Sequence, residues 1–305
     1  MNGFDLSTIS NCYVGSTPAS AIYIGSQLIW PSTPPPHDYS QDYLTFEALN
    51  PTTFSFTQND LQYSLDDGTT WTTLTAGNST PQLSTGDKIL WKQTGLTAND
   101  GIGTFSSTGN FNAYGNIMSL VYGDNYIGQI TLSQNTMFES LFHSCNKMIN
   151  ANNLILPATT LTQNCYQYMF RYCWLLTTAP ELPATTLAVG CYQFMFDDCN
   201  YLTVAPELPA TTLAQYCYHG MFYNNYSLTA APELPATTLV TSCYYDMFNR
   251  CTSLNYVKCL ATSGQSIDTL GNWLYNVSST GTFVKDANTT WSSSYIPYGW
   301  TVIDA

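Results

Sequence analysis

The sequence has few charged residues. They make up 9% of the 305 residues, whereas soluble proteins usually contain about a quarter. Lysine and arginine number 7 and aspartate and glutamate 20, which gives a formal net charge of -13. Such a chain repels phosphate groups, which argues against nucleic acids and anionic membrane surfaces as partners. The polar surface must come from uncharged side chains and the 23 tyrosines. This composition is typical of extracellular β-proteins and viral structural proteins, not of metabolic enzymes.

Long hydrophobic runs are also absent. No stretch approaches the ~20 apolar residues of a membrane-spanning helix, so we expect no membrane insertion. The start of the chain, Met1 to Asp5, contains neither a basic segment nor an apolar one, so no secretory signal peptide is expected. This combination predicts another route out of a cell, such as assembly into a phage particle. Loss of a signal by truncation is the alternative.

The common motifs of catalysis are missing too. The chain has no phosphate-binding glycine loop, no G-x-S-x-G and no H-E-x-x-H. It has no C-x-x-C pair, and His37, His143 and His219 do not follow the spacing of zinc ligands. We therefore expect no catalytic residues, no metal site and no cofactor, and the chain is predicted not to be an enzyme.

What the sequence does contain is a repeat with a constant period of 26. Prolines recur at this step, at Pro157, Pro183, Pro209 and Pro235. A fixed period in this range predicts a stacked array, because one unit cannot bury its apolar face alone. The residues predicted to form the repeat core are Cys165, Phe170, Leu176, Cys191, Phe196, Leu202, Cys217, Phe222, Leu228, Cys243, Phe248 and Leu254.

Each unit is expected to combine a turn, a short helix and a short strand. In the unit 181–206, apolar residues from Leu187 to Phe196 fall at roughly helical spacing and predict a short helix. The segment from Cys199 to Ala205 predicts a returning strand. Neighbouring units would then lie about 4.7–4.9 Å apart, like strands of a parallel sheet. The repeat pattern becomes less regular at both ends, as expected for capping units. In the last unit, Trp273-Leu274 is expected to take the place of Met-Phe.

The repeat carries a resemblance to a known family. Its order, L-P-x-x-x-L-x-x-x-C-x-x-x-M-F-x-x-C-x-x-L-T over residues 137–262, resembles the BspA-like leucine-rich repeats of bacterial surface proteins. That resemblance implies a curved solenoid that binds host proteins or surfaces and has no catalytic residues.

The ten cysteines allow two interpretations. Equivalent cysteines of successive units would stack in the core, where a buried thiol behaves as a small apolar group. Disulfides between units are the alternative. Asn225 replaces the second cysteine of its unit. It favours packing of free thiols, because in a disulfide scheme it would leave one cysteine of a pair without a partner.

Residues 1–30 are predicted to be a β anchor. Two similar pieces, 12–16 and 22–26, each read as a short strand with a Gly-Ser turn. So short a segment cannot hold a core alone, and a polyproline spacer within 31–38 separates it from the rest. The pattern Y-x-G-S-x-x-x-W-P resembles anchoring segments in virion proteins of tailed phages, including crAss-like phages of gut bacteria. The residues predicted to contact other virion proteins or further copies are Tyr13, Val14, Ile22, Tyr23, Ile24, Leu28, Ile29 and Trp30.

Residues 39–132 are predicted to form a β-sandwich-like domain. Alternation of apolar and polar residues predicts half-buried strands. The expected strands are Phe54–Phe56, Leu61–Leu65, Trp71–Leu74, Lys88–Lys92, Asn116–Val121 and Ile127–Leu132.

Within this region, Ser64 to Trp71 match S-x-D-x-G-x-T-W, the Asp-box of sialidases and related propellers. The box is a folding motif, in which the Asp and Ser close a hairpin above the Trp. A sialidase would need several copies and an arginine cluster, whereas this chain has one copy and two arginines, Arg171 and Arg250. We expect a hairpin here and no catalytic role.

Two features of the repeat concern its surface. Glu181, Glu207 and Glu233 recur in register and predict a solvated acidic row; a calcium ladder or a site for a basic partner is the alternative. Other positions change from unit to unit and are often aromatic, as in contact surfaces. The residues predicted to bind a partner are Tyr172, Trp174, Tyr201, Tyr223 and Tyr226. The alternative is that tyrosine only fills a surface that is poor in charge.

Together these observations predict a mainly β protein with short helices in four parts. They are the anchor (1–30), the linker (31–38), the sandwich-like domain (39–132) and a leucine-rich-repeat solenoid with its cap (133–305). The predicted function is that of a non-enzymatic phage virion structural protein, a fibre or decoration protein on the outside of the particle. It would display its repeat surface for adhesion to host surface or glycans, as a homo-oligomer with a trimer favoured. The alternative is a bacterial BspA-like cell-surface adhesin.

Overall fold

The chain forms two compact units, Met1–Asp38 and Tyr39–Ala305. The computed structural model describes residues 37–93 and 102–305, together with the backbone of four short strands between residues 13 and 30. The described elements are mostly strands and turns, with two α-helices of four residues each. The prediction of a mainly β protein with short helices is therefore confirmed. No helix in the described ranges has the length and apolar content that crossing a bilayer requires.

The first unit contains two antiparallel strand pairs. Strand β1 (Tyr13–Val14) pairs with β2 (Thr17–Pro18), and β3 (Ile22–Ile24) pairs with β4 (Gln27–Trp30). The prediction of short strands in the two similar pieces is confirmed for the backbone. The side chains of the eight predicted anchoring residues lie outside the described part of the chain, as do residues 31–36, so their anchoring role stays a prediction.

The second unit begins with a mixed sheet in the order β12-β11-β5-β9-β7-β8, with β13 also paired to β11. A separate antiparallel pair, β6–β10, accompanies it. The sheet buries an aromatic core that includes Phe46, Trp91 and Phe111. The strand bounds are β5 Leu44–Ala48, β6 Phe54–Phe56, β7 Leu61–Ser64, β8 Thr72–Leu74, β9 Lys88–Lys92, β10 Phe105–Ser107, β11 Phe111–Asn116, β12 Met148–Asn150 and β13 Leu154–Ile155.

Four of the six strands expected between residues 39 and 132 are present as β6 to β9, but the last two expectations are wrong. Where Asn116–Val121 was predicted as a strand, β11 ends at Asn116 and helix α1 (Ser119–Tyr122) follows. The Asn116 side-chain oxygen accepts a hydrogen bond from the Met118 amide at 3.0 Å, and the chain turns at this point. A 3₁₀ turn (Gly123–Asn125) comes next, and 127–132 forms no strand.

The Asp-box closes the β7–β8 hairpin as expected. Asp66 accepts the amide of Thr70 at 2.8 Å, and the Ser64 hydroxyl donates to Asp66 at 2.7 Å. The Gly68 amide donates to that hydroxyl oxygen at 2.9 Å, and the Trp71 indole donates to the Gly68 carbonyl at 3.1 Å. These bonds hold Asp67 and Gly68 at positive φ, so the prediction of a structural hairpin is confirmed.

Residues 133–276, here called the repeat array, consist of consecutive turns hydrogen-bonded between neighbouring units. In the unit around Tyr168, alternate amides donate to carbonyls of the next unit, as from Tyr166 to Cys191 and from Tyr168 to Gln193, both at 3.0 Å. The amides between them donate three residues back within the unit, as from Met169 to Tyr166. Every backbone donor from Tyr166 to Cys173 is thus satisfied in one of two directions.

The short helix expected from Leu187 to Phe196 is wrong, and so is the strand expected from Cys199 to Ala205. Both segments form turns or irregular backbone. Every fourth residue has positive φ, at Gly190, Phe194 and Asp198, which a right-handed helix does not allow. The apolar spacing that suggested a helix instead reflects the four-residue step of these turns.

Side chains of successive units lie in columns. The rings of Phe170, Phe196, Phe222 and Phe248 stack with centroids 5.3, 5.7 and 5.5 Å apart. All twelve predicted repeat-core residues are buried with no exposed surface. Each unit thus covers the apolar face of its neighbour, which is the main source of stabilisation expected for such an arrangement.

Both ends of the array are covered by other parts of the chain. Residues of β10 and β11 hydrogen-bond to the first unit, as from the Phe105 amide to Leu141 at 2.8 Å. These bonds cross the domain boundary expected at 132/133, and the whole of 39–305 is one compact unit. At the other end, the Phe248 amide donates a hydrogen bond to the Trp273 carbonyl at 2.9 Å, just as the Phe222 amide donates to the Met247 carbonyl. Trp273 therefore takes the place of the methionine, as predicted.

The C-terminal segment adds a parallel three-stranded sheet. Its strands are β14 (Tyr256–Cys259), β15 (Thr282–Lys285) and β16 (Thr301–Asp304), in that order across the sheet. Helix α2 (Ile267–Leu270) lies between the first two in sequence and begins with a capping box at Ser266.

Candidate contact surface

A column of buried anchors fixes the edge of the array that carries the variable residues. The thiol of Cys173 donates to the Phe142 carbonyl of the preceding unit at 3.1 Å. Cys199 does the same to Phe170. Asn225 replaces a cysteine, yet its side-chain amide donates to the equivalent carbonyl, that of Phe196, at 2.8 Å. The asparagine therefore keeps the donor function of the column.

Nine cysteines of the described residues are buried and form no disulfide. Burial raises the pKa of the Cys243 thiol to about 11 and that of the Cys251 thiol to about 12. Burial likewise raises the pKa of Cys199 well above its usual value. These thiols are protonated at neutral pH, so they are poor nucleophiles and poor metal ligands. The packing role predicted for them agrees with these positions, and the predicted alternative of disulfides between units is wrong for these nine.

Three of the predicted contact residues lie on the surface beside these anchors. Trp174, Tyr201 and Tyr226, here called the aromatic edge, have 49%, 57% and 42% of their surface exposed. Each is next to a fully buried residue, namely Cys173, Leu202 and Asn225 respectively. Because the neighbours are fixed in the core, the aromatic side chains extend from a backbone with little freedom to move.

Two members of the aromatic edge, Trp174 and Tyr226, follow the step of the repeat, whereas Tyr201 lies one residue past the equivalent position. Trp174, Asn200 and Tyr226 occupy equivalent positions in three successive units. At one strand spacing per unit, Trp174 and Tyr226 lie about 10 Å apart, with Asn200 between them. The side-chain oxygen of Asn200 is buried and has no hydrogen-bond partner among the described residues. Because that oxygen is buried, the groups that the edge presents at the surface are its aromatic rings.

The ring of Tyr172 packs against other side chains of the protein. Its ring lies 4.6 Å from the guanidinium carbon of Arg171 and makes an edge contact with His143. Arg171 Nε also donates to Asp197 Oδ2 at 2.7 Å, across to the next unit. Burial raises the pKa of Asp197 to about 7, although the Arg171 charge acts in the opposite direction. Tyr223 is half-buried. Of the five predicted contact residues, three therefore form the exposed edge.

The predicted acidic row is exposed and ends in an ion pair. Glu181 and Glu207 are exposed, and Glu233 accepts a hydrogen bond from Lys258 of the following strand, β14, at 2.9 Å. A groove of about 580 Å³ lies along the first two glutamates. We call it the proline groove, because its lining includes Pro180, Pro183, Pro206 and Pro209.

Sequence reasoning missed the groove as a site, although its A-P-E-L-P motif repeats three times. Its apolar character comes from side chains such as Ala179, Leu182 and Val204, the last with 72% of its surface exposed. Among the described residues, no group of three or more histidine, cysteine, aspartate or glutamate side chains is arranged to hold a metal ion. The calcium ladder considered for the glutamates thus has no such cluster to support it.

Comparisons of the chain with protein-family models, with curated proteins and with solved structures found no match. The fold and surface define a mainly β protein with a hydrogen-bonded repeat array, an exposed aromatic edge and a separate acidic, proline-lined groove.

Proposed function

We propose that this chain is a non-enzymatic adhesion protein whose aromatic edge binds saccharide chains. The observation that carries the proposal is the contrast between a fixed core and an exposed edge. Trp174, Tyr201 and Tyr226 lie on a backbone held by buried neighbours, and rigid aromatic side chains bind with little loss of conformational entropy. The low charge of the chain favours a neutral ligand, since aromatic faces and amide groups need no counter-charge.

In this proposal the repeat array is a leucine-rich-repeat solenoid of the BspA-like kind, displayed on the outside of a phage particle. The N-terminal strand pairs would attach it to other virion proteins, and the protein would assemble as a homo-oligomer, with a trimer favoured. The BspA-like resemblance of the repeat supports the alternative of a bacterial cell-surface adhesin equally. Neighbouring genes discriminate the two: capsid and portal genes favour the virion protein, and a lipoprotein signal upstream favours the adhesin.

The test of adhesion is a glycan array probed with the whole chain and with a triple variant, Trp174→Ala, Tyr201→Ala and Tyr226→Ala. Tyr298→Ala is the matched control, because Tyr298 is a fully exposed aromatic far along the chain, outside the edge. Stacking contributes on the order of 1 kcal/mol per ring, so the triple variant should lose at least about tenfold in affinity. The control should bind like the original chain, and the bound saccharide should be recovered uncleaved. Equal binding by the triple variant would contradict the proposal.

A further inference from the structure

Strand β16 forms an edge of the C-terminal sheet that no other described strand covers. The sheet has the order β14-β15-β16, so β16 is paired on one side only in the described ranges. The amides of Thr301 and Ala305 donate to carbonyls on the β15 side, both at 2.8 Å. Because backbone groups alternate along a strand, those of Val302 and Asp304 point the other way. They form a row of donors and acceptors that is a template for a further strand.

The side chains of β16 are exposed on both faces of the sheet. On one face, Val257, Phe283 and Val302 lie in a row across the three strands. The first two have no exposed surface, whereas 43% of the surface of Val302 is exposed. Ile303, on the opposite face, is 46% exposed. The apolar rows therefore continue to the edge strand, but the cover that a following strand would provide is missing among the described residues.

The charges of the strand favour a second copy of this chain as the occupant. Asp304, the one charged residue of Thr301–Asp304, already pairs with Lys285 of β15, so a charged partner would find no unpaired charge there. The chain as a whole carries a net charge of -13, and two copies repel each other least where their surfaces are neutral. The strand also contains neither lysine nor proline, the residues that often block pairing at exposed edges.

The direction of the backbone groups allows β16 to pair with itself. A dimer with a two-fold axis brings the same strand of both copies together in antiparallel orientation. When the axis passes through Ile303, Val302 of each copy faces Asp304 of the other, and both residues have outward backbone groups. These two pairs supply about four hydrogen bonds within Thr301–Asp304. Ile303 then contacts its counterpart, and no carboxylate faces another, so the pairing is favourable on both counts.

We propose that the free edge of β16 is a contact surface for a second copy of this chain, which adds its own β16 as the next strand of the sheet. The contact is separate from the aromatic edge and from the N-terminal strand pairs. It rests neither on the proposed saccharide binding nor on the proposed attachment to a virion. One short strand and two exposed apolar side chains from each copy make a small interface, so association in the micromolar range is expected.

Cross-linking through an introduced cysteine tests the pairing in the whole chain. Ile303→Cys places a thiol opposite its counterpart, within the distance that a disulfide spans, so mild oxidation should join two chains through residue 303. Thr301→Cys is the matched control on the same strand, because its two thiols would lie about 14 Å apart. Val204→Cys controls for random collisions, since Val204 is 72% exposed and lies outside the C-terminal sheet. Mass spectrometry identifies the joined residues.

Sedimentation of the whole chain supplies a second readout. Ile303→Lys places two positive charges face to face and should weaken self-association at least about tenfold. Val204→Lys, which changes the net charge equally, should leave it unchanged. Added salt should strengthen the association of the original chain, because it screens the repulsion between two acidic copies. These positions are exposed, so the variants should fold, and their melting curves check this.

Three results would overturn the proposal. They are the absence of a cross-link in Ile303→Cys, equal cross-linking of the two control variants, and self-association of Ile303→Lys as strong as that of the original chain. The N-terminal strand pairs are the same in all of these variants, so assembly through that segment would not imitate the expected differences.

Discussion

The exchange of asparagine for cysteine in the anchor column provides a sharp test of how the units pack. Asn225 donates to the Phe196 carbonyl at 2.8 Å, but its side-chain oxygen is buried and has no partner among the described residues. Cys199 and Cys251 make the equivalent bond, at 3.1 and 2.9 Å, without bringing a second polar atom. Asn225→Cys should therefore stabilise the fold.

The magnitude follows from two opposing terms. Removing a buried acceptor without a partner gains about 1–3 kcal/mol. Replacing an N–H donor with a weaker S–H donor loses part of a bond worth about 0.5–1.5 kcal/mol. The net expectation for Asn225→Cys is a gain of about 1 kcal/mol in the free energy of unfolding. The reciprocal change, Cys199→Asn, places an amide oxygen in a buried site and should cost about 1–3 kcal/mol.

The assay is equilibrium unfolding in denaturant, followed by circular dichroism under reducing conditions. Both variants should unfold with the slope of the original chain, because the exposed area does not change. The midpoint should move up for Asn225→Cys and down for Cys199→Asn. A lower midpoint for Asn225→Cys, or shifts of both variants in the same direction, would show that these positions are not equivalent.

Three further predictions concern single side chains. Phe196→Ala removes a fully buried ring stacked between Phe170 and Phe222 and should cost about 3–5 kcal/mol in denaturant unfolding; a loss below about 1 kcal/mol would contradict the stacked column. Burial raises the pKa of Asp197 to about 7 in the folded chain, so the folded state favours the protonated carboxyl. The stability gained from this protonated form is fully present below the pKa of an unfolded aspartate, about 4, and is lost as the pH rises to about 7. Unfolding measured from pH 4 to 7 should show that decline, and Asp197→Asn should reduce it; an unchanged pH dependence would contradict the raised pKa. Ser64→Ala removes the hydroxyl that links the Asp-box hairpin and should cost about 1 kcal/mol in the thermal unfolding of the whole chain; no change would indicate a hairpin that holds without it.

The repeat core could be predicted from sequence, but the local backbone could not. The constant step of the repeat identifies which residues are equivalent, and equivalent apolar residues bury one another whatever the backbone does. The conformation of 187–196 depends on hydrogen bonds to the next unit, such as that from Phe194 to His219 at 2.9 Å. Those bonds stabilise positive φ at Phe194, which its own side chain disfavours. Local periodicity therefore suggested a helix that the contacts between units exclude.

The contact surface, too, could be predicted from the sequence only in part. Trp174, Tyr201 and Tyr226 were identified because they vary while the core does not. Tyr172 varies as well, but its ring packs on Arg171, whose position depends on Asp197 one unit away. The residues that line the proline groove repeat in the sequence, but the groove itself depends on how 178–183 and 204–209 of two successive units lie beside each other.

Successive units of the repeat array lie side by side in register, one strand spacing apart. Thr160 and Thr186 pair as a parallel bridge across neighbouring units, within the distance a disulfide spans. Thr212 is one further unit away, about 10 Å from Thr160 and beyond that reach. Under mild oxidation, mass spectrometry should find a cross-link in the Thr160→Cys, Thr186→Cys variant and none in the Thr160→Cys, Thr212→Cys variant. Equal cross-linking of both variants, or of neither, would contradict this register of the units.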